Sequence, residues 1–164
     1  MFKHDDYCTL LKNPDDADIL TRQLFDVNVR LFYSSKPYQD IVTRCCEYIR
    51  WCAITEKDGY KKPHGYSGAN AGIPFNIVGL ANGNVLVNPY VIKATGKRVS
   101  VSNCGSLLLD KPIKIWRYAH VEVRTLLLNE GPALTELFLS GYLPTVQHEI
   151  DHNNGILIYD RQVA

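Results

Sequence analysis

The chain has 164 residues, 46% of them hydrophobic and 21% charged, with a formal net charge of +1. This is globular composition at a length that suits one domain over residues 1–164, and the balanced charge excludes the basic excess that DNA or an anionic membrane surface selects. No run of about 18 apolar residues is there to span a bilayer, and the opening MFKHDDYCTLLKNPDD sets acids where a signal peptide needs an apolar core, so the expected location is the cytoplasm.

Residues 14–33 mix acids with Ile19, Leu20, Leu24 and Phe25 and read as a short helical turn and an extended piece. Ser34-Ser35-Lys36-Pro37 supplies a cap and an early helical proline. Beyond it Ile41, Val42, Cys45, Tyr48, Ile49 and Cys52 recur at helical spacing, which predicts one amphipathic helix from about 37 to 54. The polar stretch TEKDGYKKPHGYSGANAG reads as a loop. From Ile73 the texture changes to FNIVGL, NVLVNPYVI, KRVSVS, PIKIWRY, HVEVRTLLL and LTELFL, short β-branched and aromatic runs separated by NGN, TGK and NEG turns. Six strands with short links imply antiparallel sheet. YLPTVQHEIDHNNG then reads as a helix with proline in its first turn and Asn153-Asn154-Gly155 as its stop, and ILIYDR as one last strand. The order makes the class α+β: antiparallel strands around a central C-terminal helix, with an amphipathic helix N-terminal to them.

Five cysteines stand at 8, 45, 46, 52 and 104. Their odd number and irregular spacing argue against a disulfide scaffold. Cys45, Cys46 and Cys52 share one helix; a metal cluster there is one reading, small buried hydrophobes the favoured one.

His148-Glu149-Ile150-Asp151-His152 is an H-E-x-x-H segment. On a helix, i and i+4 lie on one face, so His148 and His152 can clasp one ion while Glu149 reaches a water beside it. By itself the match is equally compatible with two solvated histidines on a surface helix. Leu143, Val146 and Ile150, however, give this helix an apolar stripe, which packs it into the core and leaves its buried histidines in need of partners. A catalytic metal takes three protein ligands and an open position. No third ligand follows at the spacing of a zinc protease, so it comes from upstream. Cys104, in Val101-Ser102-Asn103-Cys104-Gly105-Ser106 at a strand end, is the best candidate, against the plainer reading of a buried strand cysteine. Asp151 is an alternative ligand, better placed to orient a neighbour.

At these residues the chain resembles the peptide deformylases, whose three blocks are a G-L-A-A-N-Q-x-G loop, an E-G-C-L-S strand end and Q-H-E-x-D-H on a helix. The third is intact as Gln147-His148-Glu149-Ile150-Asp151-His152 and runs on into NNGILIYDR. The second is Ser102-Asn103-Cys104-Gly105-Ser106; the first is Gly65-Tyr66-Ser67-Gly68-Ala69-Asn70-Ala71-Gly72-Ile73-Pro74, and Trp116-Arg117-Tyr118 occupies the place of an arginine-bearing strand. The likeness covers about residues 60–161. Asn70 replaces the loop glutamine, Ser102 the glutamate of the second block, and Asn103 and Gly105 its glycine and leucine. Pro144 stands in a stretch before His148 that is one residue shorter than usual. The pattern is that of a compact, divergent member.

The resemblance implies hydrolysis of the formyl amide of N-terminal formylmethionine, with release of formate. It implies Cys104, His148 and His152 as ligands of one divalent ion, natively Fe2+, with Zn2+ or Ni2+ also accepted. Glu149 would be the base, and Asn70 with the Gly105 N–H the oxyanion donors. Gly65, Gly72, Ile73, Asn103, Arg117, Tyr142, Leu143 and Thr145 would form the substrate site. The partner is the formylmethionyl peptide, met at the ribosome, and the expected state is a monomer. Two other readings compete: a catalytically degenerate metal-binding domain of this type, motivated by the replaced glutamine and glutamate, and a zinc metalloprotease.

Overall fold

A computed structural model describes residues 23–55, 64–104, 111–128 and 131–164. Residues 14–22 of the expected turn and extended piece, residues 56–63 of the polar loop, and Gly105 and Ser106 lie outside these residues. Asn28 caps α1 (Val29–Ser34), its side chain accepting from the Leu31 N–H. Ser35 caps α2 (Lys36–Ile54) in the same way through Tyr38, with proline in the first turn. The helical spacing of α2 buries Val42, Cys46, Tyr48, Ile49, Cys52 and Ala53, whereas Ile41 stays 55% exposed and is no part of the apolar stripe.

The strands are β1 (Gly65–Ser67), β2 (Ile77–Leu80), β3 (Val85–Thr95), β4 (Arg98–Ser102), β5 (Ile113–Arg117), β6 (His120–Leu128) and β7 (Leu134–Gly141). They pair antiparallel throughout, as one five-stranded sheet ordered β1-β2-β3-β6-β7 and a two-stranded sheet of β4 and β5. The expected six strands are there. β1, inside the expected loop, is the addition, since Gly-Tyr-Ser is too short and mixed to show a period. The class is α+β.

Successive residues of a strand point to opposite faces, and β2 and β3 are covered on both. Ile77, Val85 and Val87 join the α2 cluster; Val78 and Leu86 join Val121, Val123, Val146 and Ile150 on the other side. The helix α3 (Pro144–Asn153) therefore lies across the sheet face opposite α2. A third cluster, Cys104, Ala69, Ile115 and Ile158, closes over its far side. The contact of α2 with β2 is made possible by Gly79, where a Cβ would lie 2.7 Å from Ile49 Cγ2 and 2.8 Å from Ile49 O.

The last strand expected in ILIYDR is instead a 3₁₀ turn, Ile158–Arg161. The Asp160 carboxylate accepts from the Leu157 N–H at 2.7 Å, and the Asp160 N–H donates back to Leu157 O at 3.0 Å. This local side-chain closure outcompetes strand pairing. Only a bridge between Ile115 and Gln162 remains of the expected ladder. No described helix is long and apolar enough to cross a membrane.

Candidate metal centre

The helix α3 is fixed at both ends and along one side before its polar residues do anything. Leu143 precedes it in the left-handed region, φ 43° and ψ 56°, with Pro144 opening the first turn. Gln147 holds that turn to the end of β5. Its Oε1 accepts from Tyr118 N–H at 3.1 Å, and its Nε2 donates to Tyr118 O at 3.1 Å and to Tyr142 O. Val146 and Ile150 face the sheet, 5% and 4% exposed. At the C-terminal end the Asn153 Nδ2 donates to Asn76 Oδ1 and to Ile77 O, both at 3.0 Å, while its Oδ1 accepts from Ala69 N–H at 3.2 Å. Helical periodicity then turns His148, Asp151 and His152 away from the sheet, toward β4 and β5.

There Cys104 joins them. Its Sγ lies 3.4 Å from His152 Nε2, and that nitrogen lies 3.0 Å from His148 Nε2. One ligand atom from each of the three residues falls within 4.8 Å of the others, a group that could hold a metal ion. A tetrahedral ion with bonds of about 2.0–2.1 Å to nitrogen and ~2.3 Å to sulfur sets its ligand atoms roughly 3.3–3.6 Å apart, and the Cys104–His152 and His148–His152 separations lie within a few tenths of an ångström of that range. The donor set is a soft thiolate and two imidazoles, which suits a first-row transition ion better than calcium or magnesium. Asp151 is not in the group. Its carboxylate takes Arg117 Nη1 at 3.0 Å and Arg161 through Nη2 at 2.9 Å and Nε at 3.1 Å. Asp151 thus anchors the helix to β5 and the final turn.

Arg117 is 3% exposed, and its Nη2 lies 2.9 Å from His148 Nδ1. The guanidinium so stands directly behind one of the candidate ligands. Burial above all, then the charges of His152 and Arg117, holds the His148 ring well below the usual imidazole range. Burial and Arg117 bring His152 down to about 4. Both rings are therefore neutral at pH 7 and have a lone pair to give. Glu149, 5% exposed, goes the other way: burial pushes its carboxyl up to about 8, against the pull of Arg117 and of the neighbouring Ser67 hydroxyl. Its Oε2 and His152 Nδ1 are buried with no hydrogen-bond partner among the described residues. An orphaned carboxyl oxygen on the residue next to His148 is a group that a water molecule held at such a site would satisfy.

Glu149 packs against β1, since a Cβ on Gly65 would lie 2.8 Å from Thr145 Cγ2 and 3.0 Å from Glu149 Cγ. Ser67, fully buried, stands between Glu149 and Asn70, and its hydroxyl donates to Asn70 Oδ1 while accepting from Asn70 N–H at 3.2 Å. Asn103 accepts from Cys104 N–H at 2.8 Å through its side chain. Of the residues expected to form the substrate site, Leu143 and Thr145 line an open depression of about 330 Å³ with His64, Leu80, Asn82 and Val146. Ile73 packs on the α2 cluster instead. Tyr142 lies under the Arg98 guanidinium, 4.5 Å from its ring centroid, with its hydroxyl 3.5 Å from Ser100 Oγ. Gly72 takes φ 68° on the exposed loop tip, and Gly105 is not among the described residues. Sequence reading missed Ser67 and Gln147 as site-building residues. For Gln147 the signal was present, as the residue opening the helical block.

The sequence is 38% identical over 80 residues to a peptide deformylase of Oceanobacillus iheyensis, covering 46% of this chain and 43% of that protein. With that of Halothermothrix orenii it shares 37% over 79 residues, covering 48% and 49%. The matched stretch thus spans less than half the length of these relatives. The fold is similar to an actinonin-bound class I type b peptide deformylase from Acinetobacter baumannii, with TM-score 0.68, 22% identity and coverage of 96% of this chain and 99% of that one. It is also similar to a probable peptide deformylase from Synechococcus phage S-SSM7, with TM-score 0.62, 21% identity and coverage of 92% and 97%. The polypeptide deformylase family profile matches residues 48–164, taking in the last two turns of α2, both sheets and the whole HEIDH helix, and the chain belongs to that family.

Proposed function

We propose that the chain removes the formyl group from the N-terminal formylmethionine of new peptides and releases formate. The observation that carries this is the convergence of Cys104 Sγ with the Nε2 atoms of His148 and His152, with the Glu149 carboxyl as the next residue on the same helix. Cys104, His148 and His152 would hold the ion, Fe2+ in the cell, while the same donors accept Zn2+ or Ni2+. When bound, it supplies Lewis acidity, polarising a carbonyl oxygen and bringing the pKa of water toward neutrality.

The rest falls to the protein. Glu149 takes the proton of the attacking water as the oxygen bonds to the formyl carbon. The C–N bond of the formyl amide then breaks, Glu149 returns the proton to the amine nitrogen, and formate leaves with the water's oxygen. A carboxyl raised by burial to about 8 is a stronger base than a solvated one, and a nearby cation draws it back toward neutrality. Asn70 is the side-chain donor for the developing oxyanion, with the Gly105 N–H as its partner. Leu143 and Thr145 form one wall for the methionine side chain.

Formate release from a formyl-methionyl tripeptide, measured beside metal content, tests the reading. Glu149→Gln keeps the size and hydrogen bonding of the side chain while removing its basicity. It should retain the ion and lose about 10²–10⁴-fold in turnover. Stoichiometric metal with no formate release by the unsubstituted protein would instead favour a binding domain, and cleavage of internal peptide bonds a protease.

A further inference from the structure

The loop that carries Asn70 departs from its family's pattern at several positions, and the structure joins two of them. Where the G-L-A-A-N-Q block has its first alanine this chain has Ser67, and where it has glutamine it has Asn70. Ser67 Oγ and the Asn70 side chain are in direct hydrogen-bond contact, both buried, at 0% and 6% exposure. From this geometry we infer that Ser67 is a positioning residue, whose hydroxyl fixes the Asn70 carboxamide with its amide nitrogen left as the donor.

The argument is one of counting hydrogens. A serine hydroxyl has one hydrogen to give and two lone pairs to offer. Ser67 Oγ accepts the Asn70 backbone N–H at 3.2 Å and gives its hydrogen to Asn70 Oδ1. The two contacts close a ring around the Asn70 side chain, so the amide cannot turn over without Ser67 losing Oδ1 as the acceptor of its hydrogen. The carbonyl end is engaged, while the Nδ2 end makes no hydrogen bond to a described residue. Asparagine carries the same amide as glutamine on an arm one methylene shorter, and a short arm that could rotate would offer its oxygen as readily as its nitrogen. An oxygen there would repel a developing oxyanion. With its hydrogen on Asn70 Oδ1, Ser67 removes that choice.

Glu149 is the competitor for the same hydrogen, because Ser67 also reaches its carboxyl. If the hydroxyl served Glu149 instead, Asn70 would lie the other way round, with Nδ2 donating to Ser67 Oγ and Oδ1 left over. The two arrangements predict opposite roles for Asn70.

The inference rests on the reading of Asn70 as an oxyanion donor, and a double-mutant cycle read by two methods separates the two claims. Ser67→Ala should lower kcat for a formyl-methionyl peptide by about tenfold, with KM and metal content unchanged. Asn70→Ala should lower kcat by about 10²–10³-fold. Adding Ser67→Ala to Asn70→Ala should change kcat less than twofold, because the hydroxyl then has nothing to position. Ser67→Ala with Asn70→Gln restores the pair found in the family's block and should recover most of the lost turnover. Independent of activity, the Asn70 side-chain NH2 resonances, assigned by their loss in Asn70→Ala, should broaden or shift in Ser67→Ala. Equal kcat losses from Ser67→Ala in both backgrounds, or a rise in KM alone, would overturn the positioning role. Asn70 amide signals indifferent to Ser67→Ala would overturn the contact itself. A protein that turns over no formyl peptide, yet whose Asn70 amide responds to Ser67→Ala, would sink the proposed reaction and leave the contact standing.

Discussion

Cys104 and Cys46 are both buried, at 1% and 0% exposure, but different neighbours surround the two sulfurs. Cys46 sits among the apolar side chains of the α2 cluster, where burial pushes its thiol up to about 12 and makes it inert as a nucleophile or ligand. The sulfur of Cys104 faces His152 Nε2 across 3.4 Å. The same substitution should therefore read out in different measurements. Cys104→Ala should abolish stoichiometric metal by elemental analysis. Cys46→Ala should keep the ion and lose about 1–2 kcal/mol of unfolding free energy, the usual scale for deleting a small buried group. If Cys104→Ala retains one ion per chain, the third ligand is some other residue. At this scale much was legible from the sequence, because H-E-x-x-H on a helix dictates which atoms meet. The role of Asp151 was half legible: spacing set it aside as a ligand, but its two arginine partners come from β5 and the final 3₁₀ turn. Ser67 was not legible, since nothing in GYSGAN distinguishes a hydroxyl that binds a loop neighbour from one that faces water.

Among elements, α3 is the one whose position matters most, and Gln147 is the residue that sets it. Three hydrogen bonds from one side chain hold Tyr118 at the end of β5 and Tyr142 just before the helix. Gln147→Ala would leave those backbone groups unpaired in a region where Gln147 itself is 5% exposed. Each buried orphan costs about 1–3 kcal/mol, so denaturant unfolding should show a loss of about 2–4 kcal/mol. Turnover should fall with it, since Glu149 rides on the same turn. An unchanged midpoint would mean that water replaces the clamp. Most elements could be read from apolar periodicity. The two that could not, β1 and the closing 3₁₀ turn, are set by tertiary pairing with β2 and by the Asp160 side chain, neither of which leaves a period.

For the whole molecule, the buried ionisable groups make stability of the metal-free protein depend on pH in a way whose sign can be worked out. Both histidines have lowered pKa values, so below 6.5 (down to about 4 for His152) the unfolded chain binds protons that the native one does not, and their contribution to stability rises with pH. Glu149 is raised from 4.5 to about 8, so the native state holds a proton the unfolded chain releases, and its contribution falls as pH rises between those values. Below 6.5 the trends oppose; from 6.5 to 8 the shift of Glu149 is the one of these three that still acts. In the presence of a chelator, Tm should therefore fall over that last interval, by up to about 1.4 kcal/mol of stability per pH unit. Glu149→Gln should remove the fall. Parallel curves for the two proteins would show that the carboxyl is not raised by its burial.

The narrow gap at Gly65 constrains which sequences are reachable from this one. Every amino-acid change that a single base can make in a glycine codon adds a Cβ, and here that atom would meet Thr145 Cγ2 at 2.8 Å before anything else. The position is thus closed to drift even though it performs no chemistry. The obstacle, however, is one methyl group. A lineage that first acquired Thr145→Ser would open the way to Gly65→Ala, whereas the reverse order would pass through an intermediate with Glu149 displaced and little activity. The two substitutions should accordingly show sign-dependent coupling: Gly65→Ala is costly alone and largely tolerated after Thr145→Ser, with a residual deficit because Glu149 Cγ still lies 3.0 Å away. Comparable turnover losses for Gly65→Ala in both backgrounds would mean that the helix, and not the threonine methyl, bars the path.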